Sequence, residues 1–248
     1  MMNEETKRKL KEMGFAEAIS AAESQDRDAA SAGLTFNERF QRVVDFVYRE
    51  KHNAKVQRLI KAAGFRYRDA DMSAVHYGGR GLDRGLIQEL ATCQYMETHA
   101  NVIFQGFTGS GKTFLACALG KQTCKLGASA RYIRIPDLFM LRDEASLRNQ
   151  GIHRLLRKLS GYRLLILDEW LLDPMSKDDR NFVFEMIERR HDDASTLYCT
   201  QYRKDEWHKR LGGGVHADAI MDRIVHNAIW VDAGGMNMRE YAAKQGQA

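Results

Sequence analysis

Between Phe40 and Ala63 the apolar positions recur at the spacing of a helix, not of a strand. Phe40, Val43, Val44 and Val47 lead into Val56, Leu59, Ile60 and Ala63, and the last four fall at i, i+3, i+4 and i+7 on one face. Thr35 stands where such a helix would begin, with Glu38 placed to complete a capping box, and Gly64 marks a stop. The spacing predicts one long helix running to about Lys61. Residues 65–82 are polar and carry Gly78, Gly79 and Gly81, so a junction between domains is expected in or just before them. Asp83 is a candidate cap for a further helix reaching to about Glu97.

Beyond Asn101 the pattern changes to short apolar runs alternating with helical segments. Residues 102–104, 131–135, 164–167, 196–200 and 228–231 are the expected strands. Expected helices cover 113–126, a segment opened by Pro136-Asp137, 152–159, and a segment capped by Ser176 with Asp179 that runs to about Arg190. Leu164-Leu165-Ile166-Leu167 is apolar at every position, as a strand buried on both faces of a parallel sheet requires. The alternation predicts an α/β fold, a parallel sheet flanked by helices, preceded by a small helical N-terminal domain. The expected division is 1–70 for the helical domain and 71–248 for the α/β domain.

The first expected strand runs into Gly106-Phe107-Thr108-Gly109-Ser110-Gly111-Lys112-Thr113, which matches the phosphate-loop (Walker A) pattern GxxxxGK[ST] without substitution. A triphosphate needs several backbone N–H groups aimed at it, and glycine supplies the backbone freedom for so close a curl. The following helix adds the positive end of its dipole. Lys112 can reach the β- and γ-phosphates of ATP, and the Thr113 hydroxyl can ligate Mg2+. A glycine-rich turn that binds nothing would not need strand, helix and the Gly-Lys-Thr triplet together.

Asp168 and Glu169 follow the wholly apolar strand at its carboxyl end, where ligands bind in open α/β sheets. Asp168 is placed to hold the metal, and Glu169, one residue further, to polarise a water aimed at the γ-phosphate (Walker B). Gln201 ends the next expected strand and could bond the γ-phosphate or that water; the bland alternative is a solvated strand end. Arg223 and Arg239 are candidates for stabilising charge during phosphoryl transfer, although isolated arginines are commonly surface residues. Adjacent acids favour water as the acceptor over a small-molecule phosphotransferase, and they argue against a switch that holds ATP without turnover.

In the 248 residues no apolar run is long enough to cross a membrane, and the N-terminus lacks a secretion signal. The four cysteines show no paired spacing, with Cys117 and Cys199 in apolar runs, so a reduced, cytoplasmic protein is expected. The eight histidines form no metal constellation, and Trp170 and Trp207 are expected to pack. Net charge is only +5, so the placement of the basic residues matters more than their total. One basic run includes Lys51, Lys55, Arg58, Lys61, Arg66 and Arg68. A second includes Arg154, Arg157 and Lys158. Either is compatible with a solvated helix face; together they are candidates for contacts to duplex DNA phosphates.

With these motifs in place, the chain resembles the IstB-like helper ATPases of bacterial insertion sequences, AAA+ proteins related to DnaC-type helicase loaders. The resemblance runs through Gly81-Leu82-Asp83-Arg84, the phosphate loop and the segment ending Asp168-Glu169-Trp170. It continues in Thr200-Gln201, Asp205-Glu206-Trp207-His208 and residues 216–227. It implies an AAA+ fold, DNA binding, assembly into an ATP-dependent homo-oligomer and assistance to the transposase of the same element. It also implies that Gln201 stands where relatives often place an asparagine sensor. Arg223 would be the finger reaching a neighbour's nucleotide, and Arg239 a second sensor. A DnaC-like replicative helicase loader is the nearest alternative.

Overall fold

The computed structural model describes residues 2–245, and the chain forms two compact units, Met1–Arg58 and Leu59–Ala248. The first contains α1 (Glu4–Glu12), α2 (Ala16–Arg27) and most of α3 (Phe36–Ala63). Asn3 caps α1 by accepting the Thr6 N–H at 2.8 Å. The capping box at the start of α3 is formed: the Thr35 N–H donates to Glu38 at 2.8 Å and the Glu38 N–H to the Thr35 hydroxyl at 3.4 Å. Arg39 ties α3 to α2 by donating to Gln25 at 3.2 Å and Asp26 at 2.6 Å.

The second unit takes up the end of α3, which stops as expected at Gly64 in the left-handed region (φ +69°). Phe65 then enters the core beside Gly120, where an added Cβ would stand 2.5 Å from its ring. Residues 65–82 run along this unit, burying Phe65, Ala70, Val75 and Leu82. Next come α4 (Arg84–Ala91), β1 (Asn101–Gln105), α5 (Lys112–Lys125) and β2 (Ala130–Arg134). They are followed by α6 (Ile135–Ser146), α7 (Gly151–Ser160), β3 (Leu164–Asp168) and α8 (Lys177–Glu188). The last elements are β4 (Ser195–Thr200), α9 (Lys204–Arg210), α10 (Gly214–Val225), β5 (Ala228–Asp232) and α11 (Met238–Gln245).

The expected strands all form, in one parallel sheet of order β2-β3-β4-β1-β5. Strand side chains alternate between faces. Leu164 and Ile166 join the core under α4 and α5, whereas Leu165 and Leu167 join the core under α6, α7, α8 and α10. Covered on both faces, β3 buries all five of its residues, which accounts for its unbroken apolar sequence.

Two local expectations are corrected. The helix opened by Asp83 ends at Ala91, short of Glu97, because Cys93 adopts φ +59° and the chain turns to bury Tyr95 and Met96. The buried Cys93 thiol lies 3.7 Å from Thr123 of α5, a tertiary contact that helix propensity does not anticipate. Ile135 opens α6 and does not extend β2, since Pro136 supplies the fixed φ of a helix start. Among the described residues no helix is long and apolar enough to cross a membrane.

Candidate nucleotide site

The phosphate loop lies between the end of β1 and the start of α5. Gly106, Gly109 and Gly111 have φ values of +155°, +94° and +90°, a conformation few other residues tolerate. A Cβ would also stand 2.7 Å from the Ser110 hydroxyl at Gly106 and 2.6 Å from Asn237 at Gly109. The loop is held from outside as well. The Met238 N–H donates to the Gly109 carbonyl at 2.8 Å. Arg80, only 3% exposed, donates to the Ser110 carbonyl at 2.7 Å and to the Ala233 carbonyl at 2.6 and 3.1 Å. This guanidinium joins the residues before β1, the loop and the residues after β5.

Lys112 curls back, donating to the carbonyls of Gly106 at 2.6 Å and Phe107 at 2.8 Å. Burial pulls its ammonium below the usual lysine value, with Asp168 opposing and Arg239 adding to the shift. A desolvated ammonium whose present partners are neutral carbonyls has much to gain from an anionic one. The Thr113 hydroxyl donates to Asp168 Oδ2 at 2.9 Å, and the buried Tyr132 hydroxyl donates to the same oxygen at 2.7 Å. Asp168 Oδ1 accepts the Glu169 N–H at 2.9 Å. Glu169 itself leaves the strand at φ +62°, and its Oε1 lies 3.7 Å from both Arg66 and Arg134.

A cleft of about 750 Å³ gathers Thr108, Gly109, Gly111, Lys112, Thr113, Asp168, Glu169, Gln201 and Arg239. That volume suits a small-molecule ligand. Of the other loop residues, Ser110 is buried, with no partner for its hydroxyl among the described residues, and Phe107 is 43% exposed. Gln201 accepts from Thr108 at 3.2 Å and donates to Tyr202 at 2.9 Å, which places it against the loop. The cleft wall beyond the loop includes His76 and Tyr241, whose rings stack at 4.3 Å. The curled loop, the half-buried ammonium and this volume fit a nucleoside triphosphate. Thr113 and Asp168, two hard oxygen donors in contact, fit Mg2+, which takes few protein ligands when phosphates supply the rest.

Arg223 is not among the residues gathered there. It lies on α10, paired with Glu188, over the Phe184 ring and donating to the Ala219 carbonyl. Lys55, Arg58 and Lys61 are exposed, as are Arg154, Arg157 and Lys158 of α7. Lys51 is exposed too, although its ammonium reaches the Gly14 carbonyl at 2.5 Å and lies over Phe15. All four cysteines are buried, as are Trp170 and Trp207, and no metal-binding group of His, Cys, Asp and Glu occurs among the described residues.

Arg80, Tyr132 and Arg134 escape a reading of the sequence, and Arg66 is there only one member of a basic run. The signal for Arg80 is an arginine set among Gly78, Gly79 and Gly81. For Arg134 it is a charge at the carboxyl end of a strand next to Pro136. If Arg80 fixes the loop, Arg80→Ala lowers ATP affinity about tenfold or more and destabilises the unit by roughly 2–4 kcal/mol, since buried carbonyls lose charged donors. Titration with a fluorescent ATP analogue and urea unfolding measure the two. Wild-type affinity in that variant means the loop keeps its curl unaided.

A family model for IstB-like ATP binding proteins matches residues 8–246. An insertion sequence ATP-binding protein of Sinorhizobium fredii, y4pL, is 32% identical over 240 residues, covering 96% of this chain and 97% of that one. The corresponding ATP-binding protein of IS1162 from Pseudomonas fluorescens is 34% identical, covering 81% and 87%. The Escherichia coli replicative helicase loader DnaC is 29% identical over 74% of this chain and 75% of its own length. Among solved structures, the DnaC helicase loader superposes with a TM-score of 0.59 at 22% identity, covering 67% of this chain and 98% of that one. AMPPCP-bound DnaA from Aquifex aeolicus gives 0.58 at 17%, covering 73% and 55%. These likenesses identify the α/β unit as an AAA+ fold. The chain belongs to the IstB-like ATP-binding family and is an ATPase of that kind.

Proposed function

We propose that this ATPase binds Mg2+ and ATP in the cleft, assembles on duplex DNA as a homo-oligomer and assists the transposase of its own insertion sequence in the cytoplasm. One observation carries the hydrolytic part: Thr113 and Asp168 are in contact at 2.9 Å, with Glu169 one residue beyond. The loop N–H groups and Lys112 would bind the phosphates, and Lys112 would exchange its two carbonyl partners for the β- and γ-oxygens. Thr113 and Asp168 would hold Mg2+, which supplies charge compensation on the phosphates. Glu169 takes the proton of the attacking water, with Gln201 placed to orient that water or the γ-phosphate. Arg239, on the cleft wall, would meet the γ-phosphate.

Arg223, which does not line its own cleft, is assigned to a neighbouring subunit's nucleotide, so that the site is complete only in the assembly. Residues 1–70 would supply DNA or partner contact, with Lys51, Lys55, Arg58 and Lys61 as candidates, and Arg154, Arg157 and Lys158 as a second set. Residues 71–248 would form the ATPase domain. The relatives' description as insertion sequence ATP-binding proteins supports the transposition role. The DnaC relative supports a second reading, a helicase loader. Affinity capture with the full chain separates them: a transposase retained with ATP supports the first, a replicative helicase the second.

Glu169→Gln is expected to bind ATP within a few-fold of wild type, to lose about a hundredfold or more of turnover, and to stay longer on DNA. Steady-state hydrolysis and DNA dissociation rates test this, and normal turnover rejects the assigned base. Arg223→Ala should bind ATP but lose roughly a thousandfold in rate, and added Lys112→Ala subunits should restore part of it. No recovery on mixing rules out a finger acting across subunits. Replacing Lys55 and Arg58 with glutamine should weaken duplex binding and reduce the slope of log K against log salt by about two. An unchanged slope removes this part of α3 from the interface.

A further inference from the structure

The Glu169 carboxylate makes no hydrogen bond among the described residues. Its two charged partners, Arg66 and Arg134, make their shortest approaches to Oε1, each at 3.7 Å. Arg134 comes from the end of β2, next to β3 in the sheet. Arg66 comes from outside the sheet, two residues beyond Gly64. Its approach is fixed by Phe65, buried against Gly120 and Ile166, and by Arg131, which donates to the Ala62 carbonyl at 2.9 Å.

Asp168 is held differently: its Oδ2 accepts the Tyr132 hydroxyl at 2.7 Å and the Thr113 hydroxyl at 2.9 Å. Hydrogen bonds therefore fix Asp168, whereas Glu169 is restrained by charge, from Arg66 and Arg134.

We propose that Arg66 is a positioning residue for hydrolysis, restraining the Glu169 carboxylate by charge while leaving its hydrogen-bonding capacity for water. The proposal rests on the reading of Glu169 as the base. A carboxylate on a strained backbone, with no hydrogen bond of its own, samples many rotamers unless charge restrains it, and small misplacements of a reacting group are costly in rate. The Arg66 side chain is 43% exposed, so the ion pair itself adds little to stability. A role in positioning and a role in folding therefore predict different outcomes.

The experiment compares Arg66→Ala, Arg66→Lys, Glu169→Gln and the Ala/Gln double variant in the full chain. It follows ATP turnover, affinity for a fluorescent ATP analogue and melting temperature. Expected for Arg66→Ala is a fall in kcat of about 10- to 100-fold with affinity and melting temperature unchanged. Arg66→Lys should recover part of the rate, because an ammonium keeps the charge but on a shorter stem and without the spread of a planar guanidinium. In the Glu169→Gln background, Arg66→Ala should add no further loss. Wild-type kcat in Arg66→Ala beside an inactive Glu169→Gln overturns this proposal and leaves the base intact. A raised kcat overturns it as well, since the pair would then be a brake, and so does a loss that tracks melting temperature or affinity. Normal turnover in Glu169→Gln removes the base, and with it the need to position one.

Discussion

Parallel strands bring every carboxyl end to one edge of the sheet, and the strand order decides which ends become neighbours there. With β4 between β1 and β3, the phosphate loop after β1 and the acids after β3 stand two strand spacings apart, about 10 Å. The return of α5 over the sheet closes that gap until Thr113 meets Asp168 at 2.9 Å. Thr200 and Gln201 continue β4 into the space left between them. Arg134, the last residue of β2, reaches the same edge from the other side of β3. The site is therefore a consequence of topology: no single segment contains it, and a different strand order with the same motifs would not assemble it.

The charge in this space is unbalanced in a useful direction. Asp168 and Glu169 face Lys112, Arg66, Arg134 and Arg239, and Arg80 lies beneath the loop. Arg80 is satisfied by the carbonyls of Ser110, Ala233 and His76 and, among the described residues, pairs with no carboxylate, so its charge is held but not neutralised. Burial lowers the affinity of that guanidinium for its proton, yet arginine at ordinary pH keeps it. A fixed positive charge therefore adds to the dipole of α5 at the place where a polyanion would be received. Lysine in the same position would be a poorer choice, because it lacks the planar fork that bridges two carbonyls on separate segments.

How much of this was legible in the chain follows from the distance over which each signal acts. The phosphate loop, the apolar β3 strand with its acid pair, and the capping boxes at Thr35 and Ser176 are written within a few residues, and each forms as expected. The sheet was legible because strands covered on both faces must be apolar at successive positions. Arg80 was not, because its partners lie 30 and 153 residues away and are backbone carbonyls, which carry no residue identity. Arg66 was visible only as charge; that it faces Glu169 depends on how Phe65 packs beside Gly120. Tyr132 was one apolar-looking position in an alternating strand, and the value of its hydroxyl appears only when β2 pairs with β3 and sets it beside Asp168.

The separation of the two adjacent acids has its own physical cause. Residues in a continuing strand would point to opposite faces, sending one acid into the core below the sheet. The chain instead leaves the strand after Asp168, with Glu169 at φ +62° and Leu171 at φ +59° on either side of Trp170. Left-handed conformations at residues other than glycine cost roughly 1–3 kcal/mol each and persist only where packing imposes them. Trp170 imposes them here. Its backbone N–H donates to the Cys199 carbonyl at 2.9 Å, and its ring is buried between Tyr198 and Trp207 at centroid distances of 4.9 and 5.9 Å. Burying an aromatic side chain of this size stabilises by roughly 3 kcal/mol, with edge-to-face partners adding to it, a gain of the same order as the cost of the turn. The tryptophan after the acid pair is thus the anchor that turns Glu169 away from the core and into the cleft beside Asp168.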